Sequence, residues 1–260
     1  MIRGPTMPPI SAVVIAYNEA DSIPRALTSL ACADELVVVD SGSTDGTSGV
    51  AAALGARVLS HSWPGYAAQK NYGVKQAQYD WILSLDADEE LDAQAQAAVH
   101  AWKASGARPG VAAYRFARRA RFLGRWIRHG GWYPDYKVRL FDRRRGRWRG
   151  AYVHETVEVT GPVEALPGEI LHYTCDSLDE FQERVERYAE LGAGEMFARR
   201  ARPGTLLRLV APPWRFVHTY FLRLGFLDGY PGFLIARMEA RYVREKLAKL
   251  ARLYREARGS

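Results

Sequence analysis

Short apolar runs and amphipathic stretches alternate along the first hundred residues. Ile10–Ala16 (ISAVVIA), Glu35–Asp40 (ELVVVD) and residues 81–85 (WILSL) are near-continuous apolar runs of strand length, and 57–59 adds a shorter one. Helical stretches separate them, at 22–31, 47–54, 67–76 and 93–104. Buried strands alternating with helices predict a parallel sheet covered on both faces. After residue 110 the rhythm changes. Strands are predicted over 111–118, 136–141, 151–159 and 169–173, then a helix over 178–200. Pro203, Pro212, Pro213 and Pro231 should break the next segment. Over 235–258, apolar residues at steps of three and four predict a long amphipathic helix. The pattern implies an α/β domain over 1–200, in halves 1–110 and 111–200, with a helical extension over 201–260. No internal repeat is evident.

A chain of 260 residues, 48% hydrophobic and 25% charged, has an ordinary globular balance. That excludes a disordered tail protein, a collagen-like fibre and a disulfide-built miniprotein. The longest uncharged stretch, residues 4–18, is too short to span a bilayer and contains three prolines. No signal peptide is recognised. Cys32 and Cys175 fit a reducing compartment.

Charge is segregated. The net charge is −7 over 1–100, +2 over 101–110, +11 over 111–150, −7 over 151–200 and +8 over 201–260, for a chain total of +7. Two basic blocks on an otherwise acidic chain suit anionic partners, although solvated helix faces would look similar.

In an open parallel sheet, ligands bind beyond the carboxyl ends of the strands. Tyr17-Asn18-Glu19, Asp40-Ser41 and Asp86-Ala87-Asp88 all fall at such ends. Two carboxylates one residue apart can both face a divalent metal bound to a diphosphate. A solvated turn is the bland alternative for Asp-x-Asp alone. There is no Gly-Lys-Ser phosphate loop and no G-x-G-x-x-G.

The runs AVVIAYNEADSIPRALTSL, ELVVVDSGSTDGT, WPGYAAQKNYGVKQA and WILSLDADEEL, with FLRLGFLDGYPGFLIA near the end, resemble a family 2 glycosyltransferase. The likeness is to the lipopolysaccharide inner-core β-1,4-glucosyltransferase-like subgroup. It implies the GT-A fold, a Rossmann-like, mostly parallel sheet with helices on both faces. It implies an inverting transfer of a hexose, glucose from UDP-glucose, to an inner-core heptose, with Mn2+ or Mg2+. It places Ala16, Tyr17, Glu19, Asp40 and Ser41 around the nucleotide, with Lys70 at the uracil or diphosphate. Asp86 and Ala87 belong to the same pocket, and Asp88 is the direct metal ligand. The expected location is the inner face of the cytoplasmic membrane, peripherally bound.

An inverting transferase needs a base for the acceptor hydroxyl. The family's usual Glu-Asp pair is absent at the corresponding place, where Val153-His154-Glu155 stands instead. Glu155 is the candidate base, Asp135 the reserve, and His154 a candidate third metal ligand. His172 is an even choice between metal and structural roles. Arg115, Arg118, Arg121, Arg125 and Arg128 alternate with aromatics and suit an anionic acceptor such as a phosphorylated core sugar on lipid A. The arginine-aromatic segment 206–236 suits an anionic membrane surface, or packing on the sheet or a second subunit. The alternatives are a transferase for a polyprenyl-phosphate or other envelope glycan, a nucleotidyltransferase, a catalytically dead sugar-binding protein and a basic nucleic-acid-binding module. Nucleic acid is not the expected partner, because the strand-end crevice is acidic.

Overall fold

The computed structural model describes residues 7–150, 155–175 and 177–259. Four parallel strands open the chain: β1 (Ile10–Ala16), β2 (Glu35–Asp40), β3 (Arg57–Ser60) and β4 (Trp81–Asp86). Helices α1 (Ile23–Ser29), α2 (Thr47–Ala53) and α3 (Tyr66–Gln76) connect them. Strand β5 (Glu89–Leu91) and helix α4 (Ala93–Ser105) follow. Then come β6 (Ala113–Phe122), β7 (Arg125–Trp126), β8 (Asp135–Asp142), β9 (Gly146–Arg149), β10 (Thr156–Val159) and β11 (Val163–Cys175). Helices α5 (Leu178–Ala198), α6 (Thr205–Val217) and α7 (Gly229–Gly259) complete the chain.

Among the described residues, nine strands form one sheet in the order β3-β2-β1-β4-β8-β6-β11-β5, with β7 on the far end of β6. The sheet is parallel from β3 to β4 and antiparallel where β8 meets β4, β6 meets β8 and β5 meets β11. It is therefore mixed, with the parallel strands gathered in the first half. Strands β9 and β10 pair separately.

The uninterrupted apolar character of β1 follows from burial on both faces. Ala12, Val14 and Ala16 enter one core with Leu27 of α1 and Val99 of α4, while Val13 and Ile15 enter another with Val74 of α3. Glycine permits the second contact. A Cβ on Gly73 would lie 2.6 Å from Val13 Cγ1 and 2.9 Å from Val39 Cγ2. Helix α3 therefore sits close on the sheet, and Gln69 and Lys70 are buried with it.

Two compact units are present: Met1–Arg118 with Asp135–His172, and Arg119–Pro134 with Tyr173–Ser260. This division differs from the one drawn from sequence at residues 110 and 200. Helix α5 packs along α7, and Phe181 and Val185 share a core with Leu234, Ile235 and Met238, which places α5 in the second unit. Pro212 and Pro213 lie inside α6 rather than breaking it. No α6 side chain is fully buried, so carbonyls left without an N–H partner can bond water. Pro231 lies in the first turn of α7, where its missing N–H costs little. The predicted strand 151–159 is observed as β10 from Thr156; residues 151–154 lie outside the described residues.

Candidate active site

Strand register builds the site. Ala16 pairs with Asp40, and Ile15 pairs with Asp86. The carboxyl ends of β1, β2 and β4 thus lie in one row, where an open sheet binds ligands.

At the β2 end, Asp40 is buried and shapes the loop that follows. Its Oδ2 accepts the N–H groups of Gly42 (3.1 Å) and Ser43 (3.0 Å), and its Oδ1 accepts the Ser43 hydroxyl. The Ser41 N–H donates to Ala16 O at 2.9 Å, and Ser41 Oγ accepts Gln69 Nε2 at 3.0 Å. Asn18 takes a left-handed φ of 54° and ties the two loops together, its Oδ1 accepting Thr44 N–H at 2.9 Å. Tyr17 beside it is exposed. Glu19 donates its N–H to Thr47 Oγ1 at 2.8 Å, and burial pushes its carboxyl above the ordinary value.

At the β4 end the charges interlock. Lys70 is 1% exposed, and its Nζ lies 2.7 Å from Asp86 Oδ1 and 2.8 Å from Glu155 Oε1. Arg139 reaches Asp86 Oδ2 at 3.0 Å and both Glu89 oxygens at 2.8 Å. Arg118 adds a contact to Glu89 at 3.1 Å. The indole of Trp148 lies 4.3 Å from Lys70 Nζ and 5.4 Å from the Arg139 guanidinium, adding cation–π attraction. Asn71 holds the Trp148 backbone through two hydrogen bonds, of 2.9 and 3.0 Å.

Glu89 is 0% exposed. Burial alone would raise its carboxyl, but Arg139 and Arg118, with His172, hold it far below the ordinary range. Burial likewise opposes ionisation of Asp86, and Lys70 and Arg139 overcome it. With both Asp86 oxygens committed to cations, Asp88 is the carboxylate of the Asp-x-Asp run that could hold a metal.

Asp88 Oδ2 lies 3.1 Å from His172 Nε2. Backbone pairing brings them together, since β11 places His172 opposite Glu89. A carboxylate and an imidazole are both groups a divalent metal accepts, so Asp88 and His172 could together hold one. Among the described residues no cluster of three protein ligands is present.

Residues 11–156 match the glycosyl transferase family 2 profile, more than half of the chain. The chain belongs to glycosyltransferase family 2. The transferase is 30% identical over 249 residues to the lipopolysaccharide core biosynthesis glycosyltransferase LpsC of Rhizobium meliloti (strain 1021), covering 93% of this chain and 92% of that one. An uncharacterized glycosyltransferase of Rickettsia bellii is 30% identical over 258 residues, 94% of this chain and 86% of that one. Glucosyl-3-phosphoglycerate synthase from Mycobacterium tuberculosis, solved with Mn2+, UDP and glucosyl-3-phosphoglycerate, is 28% identical over 44% of each chain, with a TM-score of 0.35. This protein is a nucleotide-sugar-dependent glycosyltransferase with a GT-A-type α/β fold.

Of the sequence-predicted donor residues, Ala16, Tyr17, Glu19, Asp40, Ser41, Asp86, Ala87 and Asp88 lie at or just beyond the carboxyl ends of β1, β2 and β4, and Lys70 reaches Asp86 from α3. Glu155 joins them through Lys70. His154 lies outside the described residues. Asp135 is clamped by Arg118 at 2.7 Å and Lys137 at 3.1 Å. Burial works against its charge, yet these two cations pull its carboxyl below the ordinary value. The arginines divide. Arg118 is committed to Glu89 and Asp135, and Arg115 lies 4.7 Å over the Tyr136 ring. Arg121, Arg125 and Arg128 belong to the second unit, Arg121 lying 5.6 Å over the Tyr173 ring.

Sequence reasoning missed Glu89, Arg139 and Trp148. Arg139 carried a readable signal, a cation set between Val138 and the apolar Leu140 and Phe141 in β8. A charge between core-facing apolar residues demands a buried partner.

Proposed function

We propose that this transferase moves glucose from UDP-glucose to a heptose of a lipopolysaccharide inner core, with inversion at the sugar, working peripherally at a membrane. The observation that carries the reading is the row of strand ends that sets Asp40, Asp86 and the Asp88–His172 pair beside one another. The relative named for lipopolysaccharide core biosynthesis supports the acceptor class.

Asp88 and His172 would hold Mn2+ or Mg2+, which would offset the negative charge growing on the departing diphosphate. Glu155 is the base. It takes the proton of the acceptor hydroxyl as that oxygen bonds to the sugar C1. The C1–O bond to the diphosphate breaks, and UDP leaves with the electron pair. Lys70 positions Glu155 against Asp86, tying the base to the donor pocket. The Asp40-organised loop presents the Ser41–Thr44 backbone along the nucleotide side.

Titration calorimetry of UDP with Mn2+, then with chelator, tests this. Wild type should bind only with metal. Asp88→Ala should lose metal-dependent binding and lower turnover by at least roughly a hundredfold, with melting unchanged. Glu155→Gln should keep UDP affinity and slow transfer by roughly a hundredfold or more. Equal turnover in wild type and Glu155→Gln would remove Glu155 as the base.

A further inference from the structure

Exposed apolar side chains are not spread evenly. Of nineteen large ones among the described residues, twelve fall within residues 206–230 of the second unit. Scattered exposed leucines are normal, but a concentration of this kind marks a contact surface. Leu206, Leu209 and Trp214 stand on α6, Phe221 and Leu222 on the π-helical turn His218–Leu222, and Tyr230 at the start of α7.

The same stretch has one sign of charge. Between Glu195 and Glu239 the sequence has seven arginines and a single acid, Asp228; the flanking acids pair with two of the seven, Glu195 with Arg199 at 2.6 Å and Glu239 with Arg215 at 2.5 Å. Asp228 is buried, and its carboxylate accepts the backbone N–H groups of Arg128 and His129 at 2.8 to 3.2 Å. Arg223 is exposed and has no carboxylate partner among the described residues. The surface is thus apolar, aromatic and cationic, without an exposed acid between Glu195 and Glu239.

A groove of about 480 Å³ adjoins it, floored by Pro212, Pro213, Phe216 and Leu234 and edged by Arg237 and Arg244. No helix among the described residues is long and apolar enough to cross a membrane.

We propose that residues 206–230 are the surface by which the transferase docks on an anionic lipid bilayer. Its leucines and aromatics enter the headgroup boundary, while its arginines meet lipid phosphates. A second protein copy would bring the same excess of arginines over acids and be repelled by it, whereas a bilayer of acidic lipids supplies the opposite charge. The inference deepens the peripheral reading above and rests on it.

The test is sedimentation of the full chain with vesicles of phosphatidylglycerol or of phosphatidylcholine, neither containing an acceptor, so docking and transfer can fail separately. Wild type should sediment with phosphatidylglycerol alone and be released by salt. Leu206→Ser, Leu209→Ser and Leu222→Ser together should weaken binding at least roughly tenfold while UDP binding is kept. Arg223→Glu alone should weaken it by a smaller factor. No wild-type sedimentation, or equal sedimentation of the triple variant, overturns the proposal. A wild-type dimer by light scattering that the triple variant turns into monomer also overturns it and gives the face to a second copy.

Discussion

The two compact units treat charge in opposite ways. In the first, Lys70, Glu89 and Arg139 are buried, and each faces opposite charges within about 3 Å. In the second, arginines remain at the surface among exposed leucines and aromatics. A site that must stabilise a developing charge needs its own charges fixed beforehand, so that none reorganises during reaction. A surface that must find a partner leaves apolar area uncovered and some cations unpaired, as Leu222 and Arg223 are among the described residues, although Arg215 already pairs with Glu239. The sign of the net charge is less informative than whether the charges have been neutralised.

Arg139→Met is the strongest way to break the ordered side of that contrast. It strands Glu89 in the interior with Arg118 alone and should cost about 3–5 kcal/mol, the range for breaking a buried pair on one side. A denaturant melt reads this directly. Adding Glu89→Leu should recover much of the loss, because the uncompensated charge is then gone. Failure to recover would mean that Arg139 serves mainly through Asp86 and Trp148.

Acid should weaken the same network more gradually. The ordinary values of Glu89 and Asp86 are 4.5 and 3.8, and both carboxyls lie lower in the fold. The unfolded chain therefore binds more protons in the acid range, and stability rises with pH there. The contribution is complete above about pH 5 and drains as pH falls below about 4. Melts near neutrality and at about pH 3 should show the loss, and Arg139→Met should flatten its slope. An unchanged slope would mean that other carboxylates control acid unfolding.

Much of the first unit was legible from the chain. ISAVVIA and ELVVVD are strands from end to end as read, because burial on both faces makes each run nearly continuous in apolar residues, Ser11 being the one polar residue inside them. The strand-end acids fall beside one another because parallel pairing fixes the register of β1, β2 and β4. The antiparallel half was less legible, since its partners are set by long-range register. The pairing of His172 with Asp88 depends on β11 lying against β5, which no local pattern records. Glu89 read as one acid among several and becomes distinctive only once Arg118 and Arg139 converge on it. Proline chemistry misled at α6, where a solvated helix accommodates two prolines that would break a buried one.

The smallest expected effect sharpens the other side of the comparison. Leu222 is 60% exposed, whereas Leu234, in the same unit, is 5% exposed within the core of Phe181 and Met238. Leu234→Ala should cost about 2–5 kcal/mol, as cavity-forming changes do. Leu222→Ser should change stability by no more than about 0.5 kcal/mol, because its side chain leaves water only when something covers it. Melts of both variants, without lipid and across a range of protein concentrations, separate the cases. A larger cost for Leu222→Ser that grows with concentration would show the face already packed against a second copy. A small, concentration-independent cost leaves the apolar area free in solution, as a surface built for a bilayer requires.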